Sequence, residues 1–532
     1  MPFPNTDVLF GDKARKKLLK GINTMADAVG STLGPRGQNV GKQMITPTGE
    51  VYSDDIIHDG VTVARSIQLS DTTENFAARI LRQTSQKQVD AVGDGTTVVM
   101  ILAQALIQES FKLIAAGVNP MALRQGLEQG CSKLVKELES MALPIKNLKD
   151  MKFIARISSE DEKLGDMVAE ILDKVGKDAV VDVQESKLAE TEVEHQVGMQ
   201  LDKGFLHPLF CTNPEMTEAV WENAYILVTD KSITNLTEIG KFLEAFVKVS
   251  KKLVIISPDI SGEALPLFIQ NKMQGNIFTL CIQAPSFGDD QKNILQDIAT
   301  LTGGKFWSQD AGFRFEDLTV KDLGFAANVT STKKTTIISG GKGKKEEIEG
   351  RVEKIKQDLS VCTSDFDGIR LKSRLGKLTS GVAVIRVGGQ TEVEMKERRE
   401  RILDAVAATR AGMEKGIVPG GEIVFLHIRN ILDKSILAEK LLYDALYRPF
   451  KKLIDNAGIS ETEMAVALDG KSSNYGVDVT SGKVRDMVKA GIVDPVLVPI
   501  CALNNAVSVA VQLMTSGCII VPHKLPTEPT KR

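Results

Sequence analysis

Three short stretches of this chain set small residues beside oxygen-bearing side chains in a way that suits phosphate chemistry. In "VGDGTT", Asp94 stands between Gly93 and Gly95, and Thr96 and Thr97 follow ahead of the apolar run "VVMILAQAL". A helix N-terminus offers unpaired backbone N–H groups and the positive end of the helix dipole, and both favour an anion. An acid at that mouth could hold Mg2+ against the anion, because Mg2+ takes one or two carboxylates and leaves its other positions to phosphate oxygens and water. In "STLGPRGQNV", Gly34 and Pro35 fix a turn after Thr32 and Leu33. The missing Cβ of Gly34 lets the backbone approach a phosphate closely. In "IIHDGVTVARS", His58, Asp59 and Gly60 make a third turn. Each stretch alone has a plainer reading: Asp-Gly makes a turn, and Thr or Asp caps a helix.

The elements that must carry these turns read as helices. Asp71, with Glu74 three residues on, marks a helix start. Phe76, Ile80, Leu81 and Thr84 then share a face at helical spacing. The stretch after Asp94 is expected as a helix running to Ala116 and stopped by Gly117, and Pro120 opens the next one. The middle of the chain changes character. "AVVDVQES", "AYILVTD", "KLVIISPD" and "IFTLCIQAPSFGDD" are short β-branched runs ended by turn residues. They alternate with helical text such as "GEALPLFIQNKM", which reads as an α/β domain. "SGGKGKKEEIEGRVEKIKQDL" is a solvated, charged loop feeding a helix with Ile348, Val352, Ile355 and Leu359 along one stripe. From about Gly389 helical text returns. In "VEMKERRERILDAVAATRAGMEKG", Ile402, Val406, Thr409 and Met413 line one face; Asp404 lies near the opposite face with Glu400, Ala408 and Ala411. Helical text therefore brackets a β-containing insert. The simplest fold joins the two helical ends into one domain, with a connecting domain crossed twice.

Bulk composition excludes several classes. The length of 532 residues suggests three or four domains. A net charge of −3 and an aromatic content of 5% argue against a nucleic-acid surface. No apolar run reaches the ~18 residues of a membrane span, so no membrane partner is expected. The six cysteines are scattered without a Cys-x-x-Cys, and the N-terminus lacks an apolar signal core. Reduced thiols in a cytoplasm are the expectation.

The order of the three turns, followed by "TEVEMKERRERILDAVAATRA", "GGE" and "NYGVDVTSGKVRDMVKAGIVDP", resembles the GroEL-type, group I chaperonins. The likeness runs from about Asp12 to about Cys518 and includes "AAGVNPMALRQG", "DKVGKDAVVDV", "LQDIATLTGG" and "GVAVIRVGGQTEVEMKE". It implies a multi-domain α+β/α subunit. A mostly helical equatorial ATP-binding domain would be built from 1–142 and 416–532, a small intermediate domain from 143–197 and 382–415, and an α/β apical domain from 198–381. It also implies an ATPase that binds non-native proteins and refolds them in a chamber. The cofactors would be ATP, Mg2+ and K+. The assembly would be a homo-oligomer of seven-membered rings, with a co-chaperonin lid as a further partner.

Carried over by position, the resemblance implies that Thr32, Leu33, Gly34, Pro35, Asp94, Gly95, Thr96, Thr97 and Val98 cradle the phosphates, with Asp94 on the metal. Asp59 and Asp404 would position and activate the attacking water. Gly421, Asp478, Val479, Thr480 and Asp494 would hold the base and ribose. Phe205, Leu209, Phe210, Leu243, Leu265 and Ile269 would form an exposed apolar strip for substrate protein.

The chain departs from that pattern at several points. His58 stands where the family has Lys, Val98 where it has Thr, and Asp478 where it has Asn. Pro419 and Glu422 intrude on a run of small residues, and Gly240 and Gln270 replace apolar residues of the strip. These departures fit a divergent bacterial or virus-encoded member. They also leave an alternative open: a passive holding protein of the same fold with little productive ATP cycle.

Overall fold

The computed structural model describes residues 6–45, 51–57, 59–176, 180–186, 190–214, 216–235, 239–362, 364–379 and 381–522. Contacts divide the chain into two units, Met1–Asp173 with Glu400–Arg532, and Lys174–Arg399. The first unit opens with strand β1 (Thr6–Phe10), helix α1 (Gly11–Gly30) and the hairpin of β2 (Val40–Ile45) and β3 (Val51–Ile57). Helices α2 (Gly60–Ser66), α3 (Thr72–Val92), α4 (Thr96–Ala115), α5 (Pro120–Met141), α6 (Leu148–Ser159) and α7 (Glu162–Val175) follow. Their starts obey local rules. The Asp71 carboxylate accepts from the amides of Thr73 and Glu74, and Asn119 caps α5 with Pro120 in its first turn.

The second unit holds β4 (Val180–Glu185), β5 (Glu192–Gln196), β6 (Gly198–Leu201), β7 (Glu218–Thr229), β8 (Lys252–Ser257), β9 (Phe278–Gln283), β10 (Phe306–Trp307), β11 (Gly324–Thr332), β12 (Thr336–Gly341) and β13 (Val382–Val387). Its helices are α8 (Gly240–Phe246), α9 (Ala264–Met273), α10 (Gly288–Thr302), α11 (Lys345–Val361) and α12 (Asp365–Thr379). The larger sheet has the order β6-β12-β11-β7-β8-β9, with β10 beside the end of β7. β7, β8 and β9 are parallel, in register at Ile226↔Val254 and Val254↔Leu280. Parallel neighbours need a crossover, and α8 and α9 supply the two. β8 is buried from Leu253 to Ser257, so it reads as one apolar run rather than an alternating one. A smaller sheet, β4-β13-β5, sets β13 parallel to β4 and antiparallel to β5. Along α11, Ile355 is buried, and Ile348, Val352 and Leu359 are half-buried.

The chain returns through α13 (Glu392–Lys415), β14 (Ile417–Pro419), α14 (Ile423–Ile428), α15 (Leu437–Ala445), α16 (Arg448–Ala457) and α17 (Glu461–Leu468). Then come β15 (Tyr475–Asp478), β16 (Lys483–Asp486), α18 (Met487–Ala490), β17 (Val493–Pro495), α19 (Leu497–Met514) and β18 (Cys518–Pro522). The core of the first unit mixes both ends of the chain. Leu18, Ile22, Met25 and Val29 of α1 share it with Leu102 and Leu106 of α4 and with Leu503 and Val507 of α19. At ~1.5–3 kcal/mol for each large apolar side chain buried, this is the main force joining the two ends.

Two expectations need correcting. α4 and α19 are each long and apolar enough to cross a membrane, although no such run was expected. Both are mostly buried within the first unit, which is how core helices behave. α13 is not amphipathic in its second half, because Ala405, Ala408 and Ala411 are buried as well as Ile402 and Val406. Ala408 packs with Ile154, Ile417 and Val493, and Ala411 with Val92 and Val498. Asp404 is half-buried on this helix.

Candidate functional site

The turn at Gly34 grows out of the end of α1. The amides of Thr32 and Leu33 bond back to the carbonyls of Val29 and Gly30, and the Thr32 hydroxyl donates to Val29 O at 2.8 Å. Gly34 then takes φ +81, and the Gly37 amide closes the turn onto its carbonyl at 2.8 Å. A side chain at Gly34 would lie 2.2 Å from a methyl of Leu453, so α16 seats directly on the turn. Asn456 of α16 donates its amide to the carbonyls of Gly30, Ser31 and Leu33 at 3.0, 3.3 and 3.0 Å. Arg36 reaches Thr480 O at 2.9 Å, which ties the turn to the β15–β16 hairpin.

The turns at Asp59 and Asp94 meet the Gly34 turn at Gly60. A Cβ there would lie 2.6 Å from the Thr97 hydroxyl and 3.6 Å from the Thr32 hydroxyl. Only glycine admits three backbone segments this close. Asp59 caps α2: its two carboxylate oxygens accept from Val61 N at 3.2 Å and Thr62 N at 2.7 Å. His58 lies outside the described residues. Asp94 sits between Gly93 and Gly95, at φ +70 and +78, and its carboxylate accepts from Gly95 N at 2.6 Å. The first helical bond of α4 is Val99 N to Gly95 O, so the amides of Thr96, Thr97 and Val98 precede the ladder. Thr97 is buried beneath the turn, Thr96 is half-buried, and the Val98 side chain packs into the core.

α13 brings Asp404 to this corner. A Cβ on Gly93 would be 2.4 Å from the Ala407 Cβ and 3.3 Å from Asp404 O. Burial, then the charges of Asp94, Asp59, Glu400 and Glu160, push the Asp404 carboxyl up to about 9. Burial also raises Asp94, against the pull of the Gly95 amide. Asp494, on β17, is pushed up to about 7 by burial and by Asp94. Glu422 is raised well above the usual range by burial, then by Asp494 and Asp94. Among the described residues the charges named here are all negative, so each ionised carboxylate opposes the ionisation of its neighbours. Among the described residues no group of three or more His, Cys, Asp or Glu side chains stands close enough to hold a metal by itself.

Glu422 was not expected among the site residues. It adopts φ +59 at the start of α14, and its side chain caps nothing there. Its signal in the sequence was only an acid in "VPGGE" where small residues are the pattern. Gly421 takes φ +71, and a Cβ there would lie 2.9 Å from the Met487 methyl; a Cβ on Gly420 would lie 3.0 Å from an Asp494 oxygen. Asp478 differs from expectation in what its carboxylate does. It accepts from Thr480 N, Ser481 N and the Ser481 hydroxyl at 3.0, 3.3 and 2.7 Å, and it pairs with Arg485 at 3.2 Å. Burial raises it, but these partners outweigh burial and hold it below the usual carboxylate range. The side chain is spent on its own turn. Val479 is buried in the core, and Thr480 is exposed with its carbonyl on Arg36.

The apolar strip divides. Phe210 is fully buried and Phe205 nearly so, which corrects the expectation that both are exposed. The cause is local pairing. Phe205 bridges to Ile282 at the edge strand β9, and the Leu206 amide donates to Cys281 O, so this segment lies on the sheet with its phenyl rings inward. Leu209 is half-buried, and Leu243, Leu265 and Ile269 are half-buried against the same core. Gly240 begins α8, and Gln270 is exposed on α9. The exposed apolar side chains of α9 are Leu267 and Met273, at 38% and 71%. Their signal was the Ala264–Phe268 spacing, which takes the inward face and leaves these two outside.

Known structures share this fold. The chaperonin gp146 from the bacteriophage EL 2 (Pseudomonas aeruginosa), crystallised in the presence of ATP-BeFx, is similar in its crystal form II with a TM-score of 0.68 and 22% identity, over 97% of this chain and 99% of that one. Its crystal form I matches with a TM-score of 0.59 and 21% identity, over the same shares of the two chains. Those likenesses establish the chaperonin fold. Residues 25–524 match the TCP-1/cpn60 chaperonin family, and the chain belongs to that family.

Proposed function

We propose that this chain is a subunit of an ATP-driven chaperonin that binds non-native proteins and promotes their refolding. The observation that carries the ATPase reading is the meeting of three turns at Gly60, with Asp404 delivered beside Asp94 across Gly93. Thr32 to Pro35 and the amides from Thr96 to Val98 would receive the phosphates. When bound with Asp94, Mg2+ would offset phosphate charge and the negative charge of the surrounding carboxyls. Asp404 would take a proton from the water that attacks the terminal phosphorus. A carboxyl held this high is a stronger base, once ionised, than an ordinary aspartate. Asp59 keeps the place of α2 through its cap and would act on the water only by orientation. Gly421, Asp494 and the main chain at Asp478 to Thr480 would hold the nucleoside.

The division into an equatorial, an intermediate and an apical domain is part of the same reading. The break between the two units, at Asp173/Lys174 and Arg399/Glu400, falls inside the proposed intermediate domain. Family membership supports a ring of like subunits; the seven-fold ring, a K+ site, a lid and a cytoplasmic setting stand as parts of the proposal. Leu267 and Met273, with half-buried Leu209, Leu243, Leu265 and Ile269, would offer the apolar surface to clients.

The test is Asp404→Ala. Steady-state ATP turnover is expected to fall by ~10²-fold or more while nucleotide binding persists. Unchanged turnover would remove Asp404 from the mechanism. The holding reading is favoured by the apolar Val98 and by the engagement of both Asp59 carboxylate oxygens in the α2 cap. Equal recovery of an aggregation-prone enzyme with ATP and with ADP would select it.

A further inference from the structure

Behind Asp94 the apolar core of the first unit contains two amides. Gln88 lies on α3 and is fully buried, and Asn505 lies on α19 and is 7% exposed. An amide in such a place is costly unless its donors and acceptor are all met. Gln88 meets them. Its Nε2 donates to Asp94 O at 3.1 Å and to Val498 O at 3.2 Å, and its Oε1 accepts from Asn505 Nδ2 at 3.0 Å. The turn rests directly on this amide: a Cβ on Gly95 would lie 2.9 Å from Gln88 Nε2.

The bonds fix one peptide plane. The Asp94 carbonyl is drawn inward to Gln88, and the Gly95 amide points outward to the Asp94 carboxylate at 2.6 Å. Gly93 and Gly95, both at positive φ, are the two residues whose backbones swing most freely, so the plane between them needs an anchor. Val498 and Asn505 belong to α19, from the far end of the chain. The acid at the mouth of α4 is thus aimed by two buried residues that lie behind it. A Leu or Met of similar volume would fill the same space, so packing alone does not account for two amides here.

We propose that Gln88, oriented by Asn505, is a positioning residue that sets the Asp94 carboxylate and the amides after it for a metal–phosphate ligand. This rests on the nucleotide reading given above. Outer partners of metal ligands commonly change metal affinity by 10–100-fold when removed.

The test uses the full-length protein with Gln88→Met, which keeps the volume and loses the bonds, Asn505→Leu, and the double variant. Two quantities are read. One is the Mg2+ concentration at half-maximal ADP binding, by calorimetry. The other is amide hydrogen exchange from Gly93 to Thr97 without nucleotide. Gln88→Met is expected to raise the Mg2+ requirement roughly ten-fold and to speed exchange at Gly95 and Thr96. Asn505→Leu should act in the same direction but less. The double variant should recover melting temperature towards the parent without recovering the Mg2+ requirement. An unchanged Mg2+ requirement and unchanged exchange in folded Gln88→Met, or a double variant that restores both, would overturn the assignment. If Gln88→Met does not fold, Asn505→Leu decides by the same two readings. If the parent protein binds no ADP with Mg2+, the nucleotide reading fails, and exchange alone still reports whether Gln88 holds the turn.

Discussion

At the scale of single residues, Asp404 couples chemistry to stability. Its carboxyl titrates near 3.8 as an ordinary aspartate and at about 9 in the folded chain. The folded protein therefore binds a proton that the unfolded chain has released between those values, and stability falls as pH rises through that window. Below about pH 4 both states are protonated and nothing is lost. Asp404→Asn removes the titration. It is expected to melt higher than the parent at pH 9, with the difference shrinking at pH 6 and vanishing near pH 4; melting curves across that range check it. A variant that melts alike at every pH would mean that the Asp404 carboxyl is solvated. The carboxyl of Asp494, raised to about 7, adds a second decline that ends two units lower. Much of this corner was legible beforehand, because Asp94, Gly95 and Thr97 announce themselves by type and spacing. Gln88 did not. A buried glutamine in a helix has the same letter as an exposed one, and only the partner from α19 reveals it. The partners of the Asp478 carboxylate were hidden in the sequence for a related reason, since Ser481 and Arg485 meet it only once the hairpin has formed.

At the scale of elements, the approach of α13 to the end of α3 depends on Gly93. The residue has φ +70, and an added methyl would lie 2.4 Å from the Ala407 Cβ. Gly93→Ala therefore combines left-handed strain of ~1 kcal/mol with a backbone-level clash, for a loss of about 2–3 kcal/mol in denaturant unfolding. Gly458→Ala is the control. It has φ +65 with nothing within 4 Å, so only the strain of about 1 kcal/mol applies. Equal losses in the two variants would mean that α13 yields to make room. Sequence periodicity placed the long helices and the parallel strands well, because burial repeats at the period of the element. It failed on α13. Ala405, Ala408 and Ala411 look neutral in a pattern, yet their small size is what lets neighbours close on every side of the helix. The family resemblance, not periodicity, led to an exposed Phe205 and Phe210, whose burial follows from a strand-edge pairing some seventy residues away in sequence, at Ile282.

At the scale of the whole molecule, the second unit is one continuous segment with its own core around β7, β8 and β9. Its first and last strands, β4 and β13, are hydrogen-bonded neighbours in register from Val180↔Val382. A fragment spanning 174–399 should therefore fold alone and unfold cooperatively in circular dichroism, and the intact chain should melt in more than one step. A fragment without a cooperative transition would make the two units one folding body. The first unit is discontinuous and closes by pairing β1 with β18, Thr6 against Pro522 and Phe10 against Cys518. Cross-strand partners lie about 5 Å apart. A linker of a few residues between Pro522 and Thr6 would thus turn the chain into a ring without moving either strand. New ends could then be opened in an exposed loop, and the order in which the two halves of the first unit emerge during synthesis would become a choice.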